Sequence, residues 1–305
     1  MLSESRKHAV LIMAHDNWYN LGKLISYFDS RFIDLYIHID KKSETFPEGS
    51  LRKIARESTV TFIPRRKINW GTSDQIFCEM ALYKHAYAKG DYRYYHLISG
   101  ADCPLVPLEN FVRFFENKDL NYIVADEEPH FDIRLKLYHN LFNHSFLPRK
   151  FGSLMSKKAA SLQIKLGVNR LYKIKKTYPL IRQGHNWCSL TGDAVKTILS
   201  QESAIKKMFR YTQCADEMYK QTILCNSGLS AKLSPVEIRE IDWSDKGKHP
   251  KVYTSDDFST LAQAASSGKL FARKFDDSVD RGVIDRVYTE LCHMPPAADT
   301  SPTPE

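Results

Sequence analysis

The 305-residue chain lacks the short signatures that announce several common chemistries. It has no G-x-G-x-x-G, no G-x-x-x-x-G-K-[ST] and no G-x-S-x-G. Dinucleotide, P-loop and serine-hydrolase readings therefore have no motif behind them. No D-x-D occurs either, which removes a usual carboxylate pair for holding a divalent metal on a diphosphate. The six cysteines, Cys78, Cys103, Cys188, Cys214, Cys225 and Cys292, form no zinc spacing. They are too few and scattered for a disulfide framework, so reduced, mostly buried thiols are expected, which favours the cytoplasm. No stretch approaches the roughly 18 to 20 apolar residues of a membrane span. The apolar run at residues 9–14 is too short for a signal peptide and leads straight into polar residues. A protein that is soluble, or attached only to the inner face of a membrane, is expected.

Hydrophobic residues make up 43% and charged residues 26%, enough for a globular domain with a real core. The net charge of +8 suggests an anionic partner. Acids are missing locally as well. Between Asp132 and Asp193 there is none, while twelve Lys or Arg fall between Arg134 and Arg182. This basic 133–192 stretch reads either as a solvated surface or as a patch for anionic lipid or a phosphorylated acceptor. Nucleic acid is disfavoured, because no RNP-like motif, zinc finger or heptad-bearing basic region accompanies the charge.

Strand and helix patterns alternate along the first part of the chain. "HAVLIMAH" (8–15), "DLYIHIDK" (34–41), "TVTFIP" (59–64) and "YRYYHLIS" (92–99) are apolar runs ending in polar groups, the pattern of buried parallel strands. Helical spacing covers 17–28, 74–88 and 108–117, with further strands expected at 121–126 and 231–244. A helix is expected to follow Thr191 as its cap, and another to follow Ser255. The class is α/β with a largely parallel sheet flanked by helices. Ligands of such sheets sit outside the carboxyl ends of the strands. The polar residues there are His15, Asp40, Ser99, Asp102 and Asp126. Asp126, Glu127 and Glu128 read as a solvated strand end rather than a metal site.

"CADEMYKQTIL" (214–224) poses a sharper question. Asp216 and Glu217 open a helical pattern, and a helix dipole favours acids there regardless of function. The stretch alone does not separate a helix start from a catalytic carboxylate.

The ordered set "HAVLIMAHDNWYNL", "YIHIDKKSE", "INWGTSDQIFCEMALYKHA", "YYHLISGADCPL", "WCSLTGDAV", "CADEMYKQTIL", "IDWS…HPKVYT" and "KLFARKF" resembles the core-2/I-branching glycosyltransferase family (glycosyltransferase family 14), which includes the peptide O-xylosyltransferases. The resemblance spans roughly residues 7–278 and is closer to the xylosyltransferase-like and bacterial branch. It implies a GT-A-type, Rossmann-like fold in which residues 1–130 form a UDP-sugar-binding half and 131–292 an acceptor-binding and catalytic half. Residues 293–305 read as a disordered, Pro-rich tail. The resemblance further implies inverting transfer of GlcNAc or xylose from a UDP-sugar without a metal, which agrees with the missing D-x-D. The chain shows no leader or anchor of the kind animal relatives carry, which points to a bacterial or truncated form acting in polysaccharide assembly.

Inverting transfer needs one base for the acceptor hydroxyl and something to meet charge growing on the departing UDP. Glu217 matches the family's catalytic glutamate, and Asp216 the neighbouring aspartate that orients or caps. Lys274 matches the phosphate-binding lysine, with Arg273 beside it. Lys251 stands where relatives often carry arginine, keeping the charge but not the bidentate geometry. A solvated helix end is the bland alternative for Arg273 and Lys274. Asp40 resembles the uracil- or ribose-binding aspartate, and His15, Trp70 and Gly71 are placed to cover the nucleotide. Ordinary turns after a strand, or plain core packing, are the bland alternatives for these four. Asp102 would hold a donor-sugar hydroxyl or brace its own loop. Trp187 and Trp243 would stack on acceptor sugar or pack in the core. The partners implied are a UDP-sugar and a glycan or lipid-linked glycan; no cofactor, metal or nucleic acid is expected. Two other readings stand beside this one: a non-catalytic sugar-nucleotide or carbohydrate-binding protein, and a basic membrane-surface or nucleic-acid-binding protein.

Overall fold

The computed structural model describes residues 7–126, 133–139, 149–245, 247 and 249–295, the side chains of 149–153 excepted. The expectations for Glu127, Glu128, residues 140–148 and the tail beyond 295 lie outside the described residues. Eight strands are present among the described residues: β1 His8–Ala14, β2 Ile33–Ile39, β3 Thr59–Phe62, β4 Tyr94–Ser99, β5 Asp102–Pro104, β6 Cys188–Thr191, β7 Arg239–Ile241 and β8 Phe271–Arg273. The chain divides into two compact units of interleaved stretches, whereas the sequence suggests one boundary near residue 130.

The first unit comprises residues 1–65, 91–119 and 236–305. Its main sheet has the order β3-β2-β1-β4, and every pairing is parallel. Residues of β2 and β4 are buried along their whole length, and β1 nearly so. That is what a parallel sheet covered on both faces requires, and why these strands are continuous apolar runs. Met13 pairs with both His38 and Ser99, so the carboxyl ends of β1, β2 and β4 finish side by side. A smaller sheet, β5-β8-β7, sets Asp102 opposite Arg273.

The second unit comprises residues 66–90 and 120–235. The helix Ser73–Tyr87 starts on Thr72, whose hydroxyl accepts from the Asp74 amide at 3.2 Å. It packs with the helix Gly192–Ser200 and the short turn Ala215–Glu217, while the helix Tyr219–Cys225 joins Gly192–Ser200. Thr191 caps Gly192–Ser200 as the sequence indicates.

Four local expectations differ from the structure. Residues 121–126 pair only through single bridges at Asn121, Tyr122 and Asp126, so the apolar pattern makes extended chain without a ladder. The strand expected over 231–244 is confined to Arg239–Ile241. Ser255 lies instead in a 3-10 turn, Ser255–Asp257, that Thr254 caps in a capping box with Asp257 and that leads into the helix Phe258–Ser266, and the Ser255 hydroxyl donates to Asp280. In 214–224, Ala215–Glu217 is a separate 3-10 turn, and the helix Tyr219–Cys225 begins only after Met218 at φ −132°. Asp216 and Glu217 therefore do not occupy the first turn of that helix, and its dipole is not what governs them.

Candidate functional site

In the first unit the polar residues after β1, β2 and β4 gather at one edge of the sheet. His15 and Asp16 are exposed and paired at 3.1 Å. This contact holds the Asp16 carboxyl below the ordinary carboxylate range, with Lys274 and Arg273 adding to the effect. The two cations of "FARKF" thus lie near the end of β1. Asp40 is buried, and its carboxylate accepts from the Lys42 amide at 2.9 Å. Arg65, which the sequence does not single out, donates to the Asp40 carbonyl at 2.8 Å and to the Ser43 carbonyl. The loop after β2 is a fixed turn as well as a candidate uridine contact.

Asp102 and Arg273, assigned separate tasks from sequence, are bonded to each other at 2.6 Å. Asp102 is 2% exposed and also accepts from the Ser99 amide and hydroxyl at 2.9 and 3.1 Å. It braces its own loop, and it offsets much of the Arg273 charge. Lys251 is engaged by Asp257 at 2.6 Å. Lys274 is held through its backbone, which accepts from the Tyr253 amide at 2.9 Å. Trp243 is exposed just beyond β7.

In the second unit the Asp-Glu pair divides into two environments. Cys214 precedes it in the left-handed region at φ 48°, its amide bonded to the Gly71 carbonyl at 2.9 Å. Gly71 has φ 75°, which explains a glycine there. The Gly71 amide donates to the Gln75 side chain, whose nitrogen donates to Asp216 Oδ2 at 3.0 Å. Asp216 is 4% exposed, and its Oδ1 has no hydrogen-bond partner among the described residues. It caps nothing. Burial pushes its carboxyl up to about 8, with Glu79 and Glu217 adding and Lys220 opposing. Glu217 points differently. Its side chain is 34% exposed, and Oε2 accepts from Arg134 at 2.8 Å. Its carbonyl accepts from the Gly184 amide at 3.0 Å. A Cβ on Gly184 would meet the Val124 carbonyl at 2.0 Å, so only glycine allows that approach.

Beneath the turn, Lys220 and Glu79 form an ion pair, both 0% exposed. Glu79 also accepts from Tyr219 at 2.9 Å and Asn186 at 3.2 Å. Gly71 also borders a cavity of about 250 Å³, together with Asn69, Asp74, His139, Tyr211 and Thr212. The buried Thr212 hydroxyl has no partner among the described residues. Trp70 is exposed beside this wall and Trp187 is half-buried. Arg134, Gln75, Glu79 and Lys220 escape a reading of the sequence, because each acts through a partner 83 to 141 residues away. No group of three or more His, Cys, Asp or Glu is arranged to hold a metal ion among the described residues.

The Asp216 environment has a consequence for pH. Its folded value lies above the unfolded one, so the fold favours the neutral acid. That stability is full below about pH 4 and is lost as pH rises towards about 8. Asp216→Asn, neutral throughout, is expected to decline less than the parent over this range in urea midpoints. Parallel curves would show that the carboxyl is not buried as described.

Similarity to known proteins adds to this geometry. The family model for the core-2/I-branching enzyme matches residues 9–263. Among solved structures, apo mouse xyloside xylosyltransferase 1 is 9% identical, with 87% of this chain and 96% of that one covered at a TM-score of 0.39. The 4-diphosphocytidyl-2C-methyl-D-erythritolsynthase of Anaerococcus prevotii is 11% identical, with 86% and 96% covered at a TM-score of 0.37. Both likenesses are too distant to argue from. Among curated proteins none matches. The family model spans most of the chain, and on that ground the protein belongs to the core-2/I-branching enzyme family and is a glycosyltransferase.

Proposed function

We propose that the protein transfers GlcNAc or xylose from a UDP-sugar to a hydroxyl of a glycan or glycoconjugate, with inversion and without a metal. The observation that carries the reading is the division within the Asp-Glu pair. Asp216 is buried and biased towards its neutral form, whereas Glu217 reaches solvent from a turn fixed at Gly71 and Gly184. Of the two, only Glu217 is open to an acceptor hydroxyl. In the reaction its carboxylate takes the hydroxyl proton as the oxygen attacks the anomeric carbon. The bond from that carbon to the UDP oxygen breaks, and cations meet the charge left on the diphosphate. One carboxylate suffices, since a single displacement forms no glycosyl-enzyme intermediate. Arg134 holds Glu217 in place, and the acceptor hydroxyl must share or replace that contact.

Lys274 is the principal cation in this reading, because Asp102 and Asp257 already engage Arg273 and Lys251. In the first unit, His15 and Asp40 contact the uridine. In the second unit, Trp187 and the cavity beside Gly71 receive acceptor sugar. The missing D-x-D supports a metal-free diphosphate site. UDP titrations in EDTA test the donor side. Wild type is expected to bind, and Lys274→Ala to bind roughly 10- to 100-fold more weakly, as for loss of one charge-assisted contact. Binding that vanishes in EDTA, or is untouched by Lys274→Ala, would contradict this assignment.

A further inference from the structure

The helix Arg149–Lys165 presents a surface that the transfer chemistry does not use. One side faces the protein: Gln163 is half-buried, accepts from the Tyr138 amide at 2.7 Å and donates to its carbonyl at 3.0 Å. Just beyond the helix, buried Arg170 donates to the carbonyls of Leu137 and Met208 at 2.8 and 2.7 Å. The segment is therefore firmly mounted on the second unit. Beside the mounted side, Met155, Leu162 and Leu166 recur at helical spacing along one stripe. All three are exposed, Leu162 by 58% and Leu166 by 70%. Lys158 and Lys165 flank the stripe, and both are exposed. The following helix, Leu171–Thr177, adds Tyr172, 77% exposed, among Lys173, Lys175 and Lys176.

Soluble proteins rarely leave an apolar row of this kind uncovered. The surround says what covers it. With no Asp or Glu between Asp132 and Asp193, every formal charge that these two helices contribute is positive, so the complement is anionic. A partner that is anionic and also takes up a leucine row is a lipid surface. Nucleic acid would satisfy the lysines and leave the leucines without a role.

We propose that these two helices, through Met155, Leu162, Leu166 and Tyr172 with their neighbouring lysines, dock on an anionic lipid bilayer. The apolar row enters the boundary between headgroups and acyl chains. Lysine stems lie along the apolar surface and their ammonium groups reach the lipid phosphates. The attachment is peripheral, since no helix among the described residues is long and apolar enough to cross a membrane. It stands independently of the assignment of Glu217.

Co-sedimentation tests it, using vesicles of phosphatidylcholine alone and vesicles with one-quarter phosphatidylglycerol. Wild type is expected on the anionic vesicles only, with partitioning that falls as salt rises. Joint neutralisation of Lys158, Lys165, Lys173, Lys175 and Lys176 to Gln is expected to lower it at least about tenfold. Leu162→Ser with Leu166→Ser keeps every charge and is expected to lower it several-fold, which a purely electrostatic surface would not show. Absence of wild-type binding would overturn the proposal. So would leucine variants that bind as wild type, or lysine variants that lose only duplex DNA.

Discussion

Lys220→Met is expected to destabilise the protein by roughly 3–5 kcal/mol, the cost of leaving a buried charge without its partner. Lys220 and Glu79 are both fully buried, so neither can turn to water when the other is removed. Among the described residues Glu79 would keep only Tyr219 and Asn186 as donors, which satisfy its oxygens without balancing its charge. Pairing the change with Glu79→Gln removes the orphaned charge. The double variant is expected to recover most of the loss, since a buried pair replaced as a unit is often close to neutral. Urea unfolding of the parent, the single and the double variant measures both effects. A single variant within about 1 kcal/mol of the parent would mean that water reaches Glu79. The pair also bears on the site, because Lys220 donates to the Asp216 carbonyl at 3.3 Å and so anchors the turn that presents Glu217.

What the sequence discloses and what it conceals follow from the range of the interactions. β1, β2 and β4 are legible because burial on both faces demands continuous apolar runs, and each run is local. Their polar ends identify the sheet edge where His15, Asp40 and Asp102 collect. The cap at Thr191 is legible for the same reason, as it needs only its own neighbours. Residues 121–126 mislead because apolar alternation specifies an extended chain but not a partner to pair with. The Asp216–Glu217 turn misleads because helical spacing does not distinguish a continuous helix from a 3-10 turn followed by a break at Met218. The Arg273–Asp102 pair, 171 residues apart in sequence, leaves no local trace at all. Resemblance to the family supplies Glu217 and Lys274 as candidates, while the physical difference between Asp216 and Glu217 is visible only in three dimensions.

The central claim is that Glu217 removes the acceptor proton. Glu217→Gln keeps the size of the side chain and the possibility of a contact with Arg134, but it cannot accept a proton as a carboxylate does. A positioned general base contributes roughly 10²- to 10⁴-fold to rate, so transfer is expected to fall by about that factor. UDP affinity should stay within about twofold of the parent, because the residue is assigned no donor contact and twofold is only about 0.4 kcal/mol. Loss of folding would lower both quantities and is thereby distinguished from loss of the base. The decisive measurement is the rate of sugar transfer by Glu217→Gln from UDP-GlcNAc and UDP-xylose, with UDP affinity determined on the same preparation. The account predicts a collapse of transfer with UDP binding intact; transfer at the parent rate would contradict it.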